Sequence, residues 1–327
     1  MQTNKIDIIN IGLIFLSAIL AVILPFELFL FAYGVLGPLH YLTEISWLHD
    51  KNYFATNKND IWLLVIISLI LAIFTFKSQL GLGALEVDFT FNNAIIFIAF
   101  GSSLFFALVK NKFIKVVGVI LVVLLSFISD RMILFFSVFL PTLIHVFLFT
   151  SIFMLYGALK SKSKMGYLSV LLHIAIPLLF IILFSGKNFL PATAYAQNAY
   201  KEFQMLNQVI INMLNTSHAG DGDAVNLVFQ SSVGISVMRF IAFAYTYHYL
   251  NWFSKTKVIG WYDIPKSRAL FIVVLWIVSV ALYAIDYSLG FKWLFLLSFM
   301  HVLLEFPLNF HSFVGIFKSL KLKTATT

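Results

Sequence analysis

The chain is built from long apolar runs separated by short polar connections. Helical spans need about 20 mostly apolar residues, because the hydrocarbon slab is roughly 30 Å thick and each helical residue rises about 1.5 Å. Nine runs meet or approach that length: 10–36, 60–77, 91–110, 113–129, 132–157, 166–186, 233–253, 268–287 and 291–316, with those at 60–77 and 113–129 short. They are continuously apolar instead of alternating, which argues against a membrane β-barrel. The pattern predicts an all-α polytopic transmembrane helical bundle of about nine spans, forming a single transmembrane domain over residues 1–327. The first run is too long for a signal-peptide core and has no small-residue cleavage site before Pro25, so it reads as a retained helix.

The longest connection, 187–232, predicts an external loop. Within it Phe203, Leu206, Val209, Ile210 and Met213 recur at helical spacing, which predicts an interfacial amphipathic helix from Asn198 to Asn215. Asp221-Gly222-Asp223 lacks the remaining ligands of a calcium loop and reads as a solvated turn.

Composition supports the membrane reading. Of 327 residues 61% are hydrophobic and 11% charged, and the mean hydropathy is +0.95; one soluble core cannot enclose that much apolar surface. The absence of cysteine removes disulfides, thiolate metal sites and cysteine nucleophiles. The formal charge of +8 is concentrated at Lys110–Lys115, Lys160–Lys164, Lys255–Arg268 and Lys318–Lys323. On a nine-span map these clusters share one side, which predicts a cytoplasmic C-terminus and an N-terminus outside.

Ionisable groups within apolar spans are costly and need a partner or a task. His40, His145, His248 and His301 lie in or at the end of four different predicted spans, and counting rises along the helices allows a common depth in the cytoplasmic half. Two of them have a carboxylate four residues later, Glu44 after His40 and Glu305 after His301, on the same helix face. One such pair reads as a local hydrogen bond; two pairs with two further histidines read as a metal centre, with Glu44 and Glu305 as orienting groups or additional ligands. Imidazole and carboxylate without sulfur suits Fe(II), with Zn(II) the alternative. No side chain is singled out as catalytic. The chain contains no His-x-x-x-His, unlike membrane desaturases and the seven-helix alkaline ceramidases. His173, beside Pro177, reads as an interior histidine, and Arg239 as a buried charge facing Asp130 or the outer headgroups. Tyr41, Tyr245, Tyr249 and Trp252 surround the histidines in sequence; they read mostly as an interfacial belt, and also as candidate walls of a substrate pocket.

These motifs, in this order, resemble the Brp/Blh family of bacterial and archaeal membrane β-carotene dioxygenases. Gly37-Pro38-Leu39-His40 with Glu44, Leu143-Ile144-His145-Val146-Phe147, Tyr247-His248-Tyr249, and Met300-His301-Val302 with Glu305 are similar to the family's histidine segments, and His311-Ser312 resembles its tail. The chain departs from the pattern at Trp252, where the family has a second histidine, and in the order Gly-Pro-Leu-His. The resemblance implies a histidine-bound iron, O2 and a lipid-soluble carotenoid cleaved to retinal, in a bacterial or archaeal inner membrane. No nucleic-acid partner is expected, and the sequence leaves the oligomeric state open. Rival readings are a proton- or cation-coupled transporter that uses the buried His and Glu residues, and a zinc-dependent lipid hydrolase.

Overall fold

In the computed structural model, residues 2–51, 60–75, 77, 89–127, 133, 135–184, 187–214 and 224–324 are described. Every regular element among the described residues is helical. Six of these helices are long and apolar enough to cross a membrane: Asn4–Ile23, Pro25–Asp50, Phe136–Ser161, Lys164–Phe184, Lys266–Ile285 and Tyr287–Ser319. The Lys266–Ile285 helix buries only Ile272, Ser279 and Tyr283 and turns Leu270, Phe271, Val274 and Ile277 outward. That pattern suits a lipid-facing helix, since in water it would be a sticky patch. The Cα positions group into two units, residues 1–40 with 150–291 and residues 41–149 with 292–327.

The first unit is organised around the helix Ser232–Ser254, the most buried in the unit. Ser231 caps it by accepting the Gly234 N–H, the usual answer to the orphan N–H groups of a first turn. A Cβ at position 234 would lie 2.2 Å from the Leu227 carbonyl oxygen, so only glycine fits there. The helix Gln2–Ile23 runs antiparallel to this central helix. Asn10 Oδ1 accepts from Tyr247 and Ser254 near one end, and Arg239 reaches the Val22 carbonyl near the other.

The predicted span 10–36 is two helices. Proline disfavours the α conformation in the residue before it, and Leu24 leaves the helix with φ −140° and ψ 65°. Pro25 then opens a second helix at a position where its missing N–H costs nothing. This helix returns past the first through Pro25–Phe31 and a π-helical stretch Ala32–Leu36, and the chain continues as the helix Gly37–Lys51. The extra pass corrects the expected topology. Ser163 donates to the Asp7 carboxylate, so the start of the first helix and the Lys160–Lys164 turn share one end of the unit instead of lying on opposite sides.

Arg239 is fully buried, and among the described residues its partners are backbone carbonyls. It donates to the carbonyls of Val22 (3.2 Å), Phe184 (2.7 Å) and Lys187. The Val22 and Phe184 carbonyls lie in the last turns of their helices, where carbonyls lack helical partners and attract a cation. Asp130 lies outside the described residues.

The long connection folds as Ala194–Ala199, a 3-10 turn Tyr200–Phe203, Gln204–Leu214 and Ala224–Phe229. The predicted stripe is rotated. Asn207, Ile210 and Ile211 are buried, whereas Met213 is 62% exposed. Phe203 packs edge-on against Phe29 and Tyr33, and Asn207 Nδ2 meets Met238 Sδ at 3.5 Å, so the segment is docked on its own unit. Asp221, Gly222 and Asp223 lie outside the described residues. His173 is fully buried against Phe243 and Tyr247, as the interior reading expects.

In the second unit, Phe89–Leu108 and Lys112–Leu125 form a tight helical pair. Asn111 caps the latter by accepting from Phe113 and Ile114, and Gly101 and Gly118 leave room for Val122 and Phe105. A π-helical segment, Phe135–Phe149, contains Pro141, and its Ser137 hydroxyl donates to Asn93 Oδ1 at 2.9 Å. Phe100 meets Phe299 and Phe306 of the Tyr287–Thr324 helix edge-on.

Candidate metal centre

The predicted histidines fall into two close pairs, one in each unit. In the first unit His40 and His248 place their Nε2 atoms 3.1 Å apart. His40 follows the π stretch Ala32–Leu36 on its helix. His248 comes from the fifth turn of the central helix, and Thr150 Oγ1 lies 2.7 Å from its Nδ1. When Nδ1 carries the ring proton and donates to this hydroxyl, Nε2 is left as a bare lone pair. Tyr249 and Trp252 pack against the His40 ring with centroids 5.2 and 5.5 Å away, and all four side chains are buried.

In the second unit His145 and His301 repeat the arrangement, with Nε2 atoms 3.1 Å apart. His145 lies in the π-helical segment four residues beyond Pro141; π turns recur at functional sites because they re-aim side chains. His301 Nδ1 is 2.6 Å from the Ser298 carbonyl oxygen. A carbonyl only accepts, so Nδ1 holds the ring proton and Nε2 is a lone pair. His145 Nδ1 is 3.1 Å from Glu305 Oε2, a charge contact that is not aligned as a hydrogen bond. A carboxylate there favours the proton on Nδ1. With the His145 proton on Nδ1, both Nε2 atoms would present lone pairs to each other, an arrangement that a cation between or beside them would relieve; with it on Nε2, the pair would be a direct imidazole hydrogen bond.

Glu44 and Glu305, the carboxylates at His+4, come together with His301 in this unit. One ligand atom from each lies within 4.8 Å of the others. This buried His/Glu group could hold a metal ion. Tyr41 stacks on His301 with centroids 4.2 Å apart and planes at 27°.

The pair spacing fits metal ligation. Two imidazole nitrogens bound at about 2.0–2.1 Å, at an angle between octahedral and tetrahedral, stand about 2.9–3.4 Å apart. Both pairs, at 3.1 Å, fall in that range. Nitrogen and oxygen donors without sulfur suit iron or zinc.

The aromatic residues are buried inside the fold instead of forming a belt, with Tyr245, Tyr247 and Tyr249 all under 8% exposed. Of the pocket candidates, Tyr41, Tyr249 and Trp252 touch histidines, whereas Tyr245 packs on Phe29 and Tyr33 one ring further away. His311 lies on the Tyr287–Thr324 helix, and its side chain is outside the description. Thr150 and Ser298, which engage the Nδ1 atoms of His248 and His301, carried no signal as site residues. Ser298 stands three residues before His301, where a helix brings carbonyl and side chain together. Thr150 is 98 residues from His248, and nothing in the sequence links them.

Comparison with known protein families, curated proteins and solved structures finds no match for this chain.

Proposed function

We propose that this chain is a multi-pass membrane metalloenzyme, a non-haem iron oxygenase acting on a lipid-soluble polyene. The observation that carries the reading is the facing of imidazole Nε2 atoms whose Nδ1 atoms are already engaged by Ser298, Glu305 and Thr150. Each unit brings one pair of buried histidines together, His40 with His248 and His145 with His301. His145 and His301 would ligate metal in the second unit, with Glu305 orienting His145 and Glu44 beside it as an orienting group or further ligand, and His40 and His248 would supply imidazole ligands from the first. Bound ferrous iron supplies dioxygen activation. Tyr41 beside His301, and Tyr249 and Trp252 beside His40, would supply flat, water-excluding surfaces next to the imidazoles, which suit a conjugated hydrocarbon arriving from the bilayer. The motif resemblance to the Brp/Blh dioxygenases points to β-carotene and retinal. We also propose that the end of the first unit carrying Asp7, Lys160 and Lys255 faces the cytoplasm, by its excess of lysine.

The test has two arms. Purified protein analysed by inductively coupled plasma mass spectrometry is expected to contain iron, lost in His145→Ala and His301→Ala. Expression in β-carotene-producing cells is expected to convert the pigment to retinal. Zinc in place of iron would favour the hydrolase reading, and unchanged metal content in both variants would overturn the metal centre itself. Iron without carotenoid loss would reject β-carotene while keeping the oxygenase.

A further inference from the structure

Away from the histidines, the first unit holds a second concave site at its lysine-bearing end. A pocket of about 340 Å³ opens among the start of the Gln2–Ile23 helix, the end of Thr150–Ser161, and the last turn of Ser232–Ser254. Its apolar lining includes Ile6, Met154, Ala158 and Val258, and its polar groups include Asp7, Asn10, Lys160, Asn251 and Lys255.

Three features of this lining are specific. Two ammonium groups face one carboxylate, so the wall has one net positive charge, matching a phosphodiester. Asp7 is occupied, because it accepts from Ser163. Asn251 is 6% exposed, and its Oδ1 has no hydrogen-bond partner among the described residues. A buried acceptor left bare costs about 1–3 kcal/mol, so the site is incomplete without a donor. The neighbouring amide shows the contrast: Asn10 Oδ1 accepts from both Tyr247 and Ser254.

We propose that this pocket binds the headgroup of a membrane phospholipid that carries a hydrogen-bond donor beside its phosphate. The phosphate sits between Lys160 and Lys255, the headgroup hydroxyl or ammonium donates to Asn251 Oδ1, and the glycerol and upper acyl carbons lie on Ile6, Met154, Ala158 and Val258. An ionised fatty acid offers no donor, and phosphatidylcholine, with its quaternary ammonium, offers none either. Phosphatidylglycerol and phosphatidylethanolamine offer both groups.

Gly157 provides a clean test. It lines the pocket, and a Cβ added there meets nothing within 4 Å, so a side chain can start from this position into the cavity. The full-length protein is placed in phosphatidylcholine nanodiscs with or without a minor fraction of phosphatidylglycerol, and in phosphatidylcholine with inorganic phosphate. Phosphatidylglycerol is expected to raise the apparent Tm and to be retained in native mass spectrometry; phosphatidylcholine alone and inorganic phosphate are expected to do neither. Gly157→Phe is expected to abolish the shift. Lys160→Gln and Lys255→Gln are each expected to weaken retention about fivefold. A Gly157→Phe protein that keeps both the wild-type Tm in phosphatidylcholine and the full phosphatidylglycerol shift would overturn the site. An equal shift from inorganic phosphate would overturn the lipid as its source. Should Gly157→Phe lower the baseline Tm, the lysine variants decide: undiminished lipid retention in both rejects the proposal.

Discussion

His145 and His301 present their Nε2 atoms to each other at 3.1 Å, while the opposite ring nitrogen of each is engaged by Glu305 or by the Ser298 carbonyl. The Ser298 carbonyl holds the His301 proton on the far side of its ring, and a carboxylate beside His145 Nδ1 favours the same tautomer there. Glu305→Gln keeps the size of the side chain but offers an amide N–H to His145 Nδ1, which drives the ring proton to Nε2. Metal affinity measured by chelator competition is expected to fall about 10–100-fold. Affinity equal to wild type would show that Glu305 does not set the tautomer.

The hydroxyl of Thr150 plays the corresponding part for His248 at 2.7 Å. Thr150→Val is close in shape and removes only this partner. A metal affinity about tenfold below wild type, restored by Thr150→Ser, is the expected outcome. Loss of metal in both variants alike would point to packing instead.

Arg239 ties three backbone carbonyls together in the first unit. Arg239→Met leaves those acceptors without their cation and is expected to destabilise by about 3 kcal/mol or more. Lysine cannot replace the guanidinium fork at three acceptors, so Arg239→Lys is expected to recover little of the loss. Apparent Tm in detergent, followed by fluorescence-detected size exclusion, reads both.

Because the chain has no cysteine, single cysteines report sidedness without background. Lys5→Cys and Lys162→Cys are expected to react with a membrane-impermeant maleimide from the same side, as the Asp7 to Ser163 hydrogen bond requires. Labelling from opposite sides would contradict the two-helix arrangement of residues 2–51.

Burial holds Lys255 down to about 8 from its ordinary 10.5, and Asp7 raises it back in part. Asp7 and Lys160 are the other charged groups lining its pocket, and the Phe153 ring lies 4.9 Å from its ammonium. The folded chain thus gives up this proton more readily than the unfolded chain. Its contribution to stability is lower below pH 8, rises between about pH 8 and 10.5, and is level above. Wild type is expected to gain apparent Tm over Lys255→Met across that interval, and a constant difference between the two would refute the linkage.

Helices occur in each of the predicted runs because period and length depend on the sequence nearby. Six of the helices among the described residues are long and apolar enough to cross a membrane, and the run 10–36 is divided in two. The apolar run through Ile23, Leu24, Pro25 and Phe26 shows no polar break, and only the backbone restriction that Pro25 puts on Leu24 marks the turn. The two His+4 carboxylates were legible because helical spacing alone puts them on one face. The partners of Arg239 were not, because they are backbone carbonyls, which every residue carries. Met213 continues the stripe by spacing, but the helix docks through Asn207, Ile210 and Ile211 and leaves Met213 outward.

The turn at Leu24 and Pro25 also bears on biosynthesis. A single non-helical residue joins two apolar helices, Pro25 brings no orphan N–H, and Arg239 takes up one of the carbonyls that the first helix leaves behind. No hydrophilic loop has to be carried through the bilayer between them. The first two helices are therefore suited to leave the translocation channel together as a preformed hairpin, with the second helix delivering His40 to its final depth as the first takes its place.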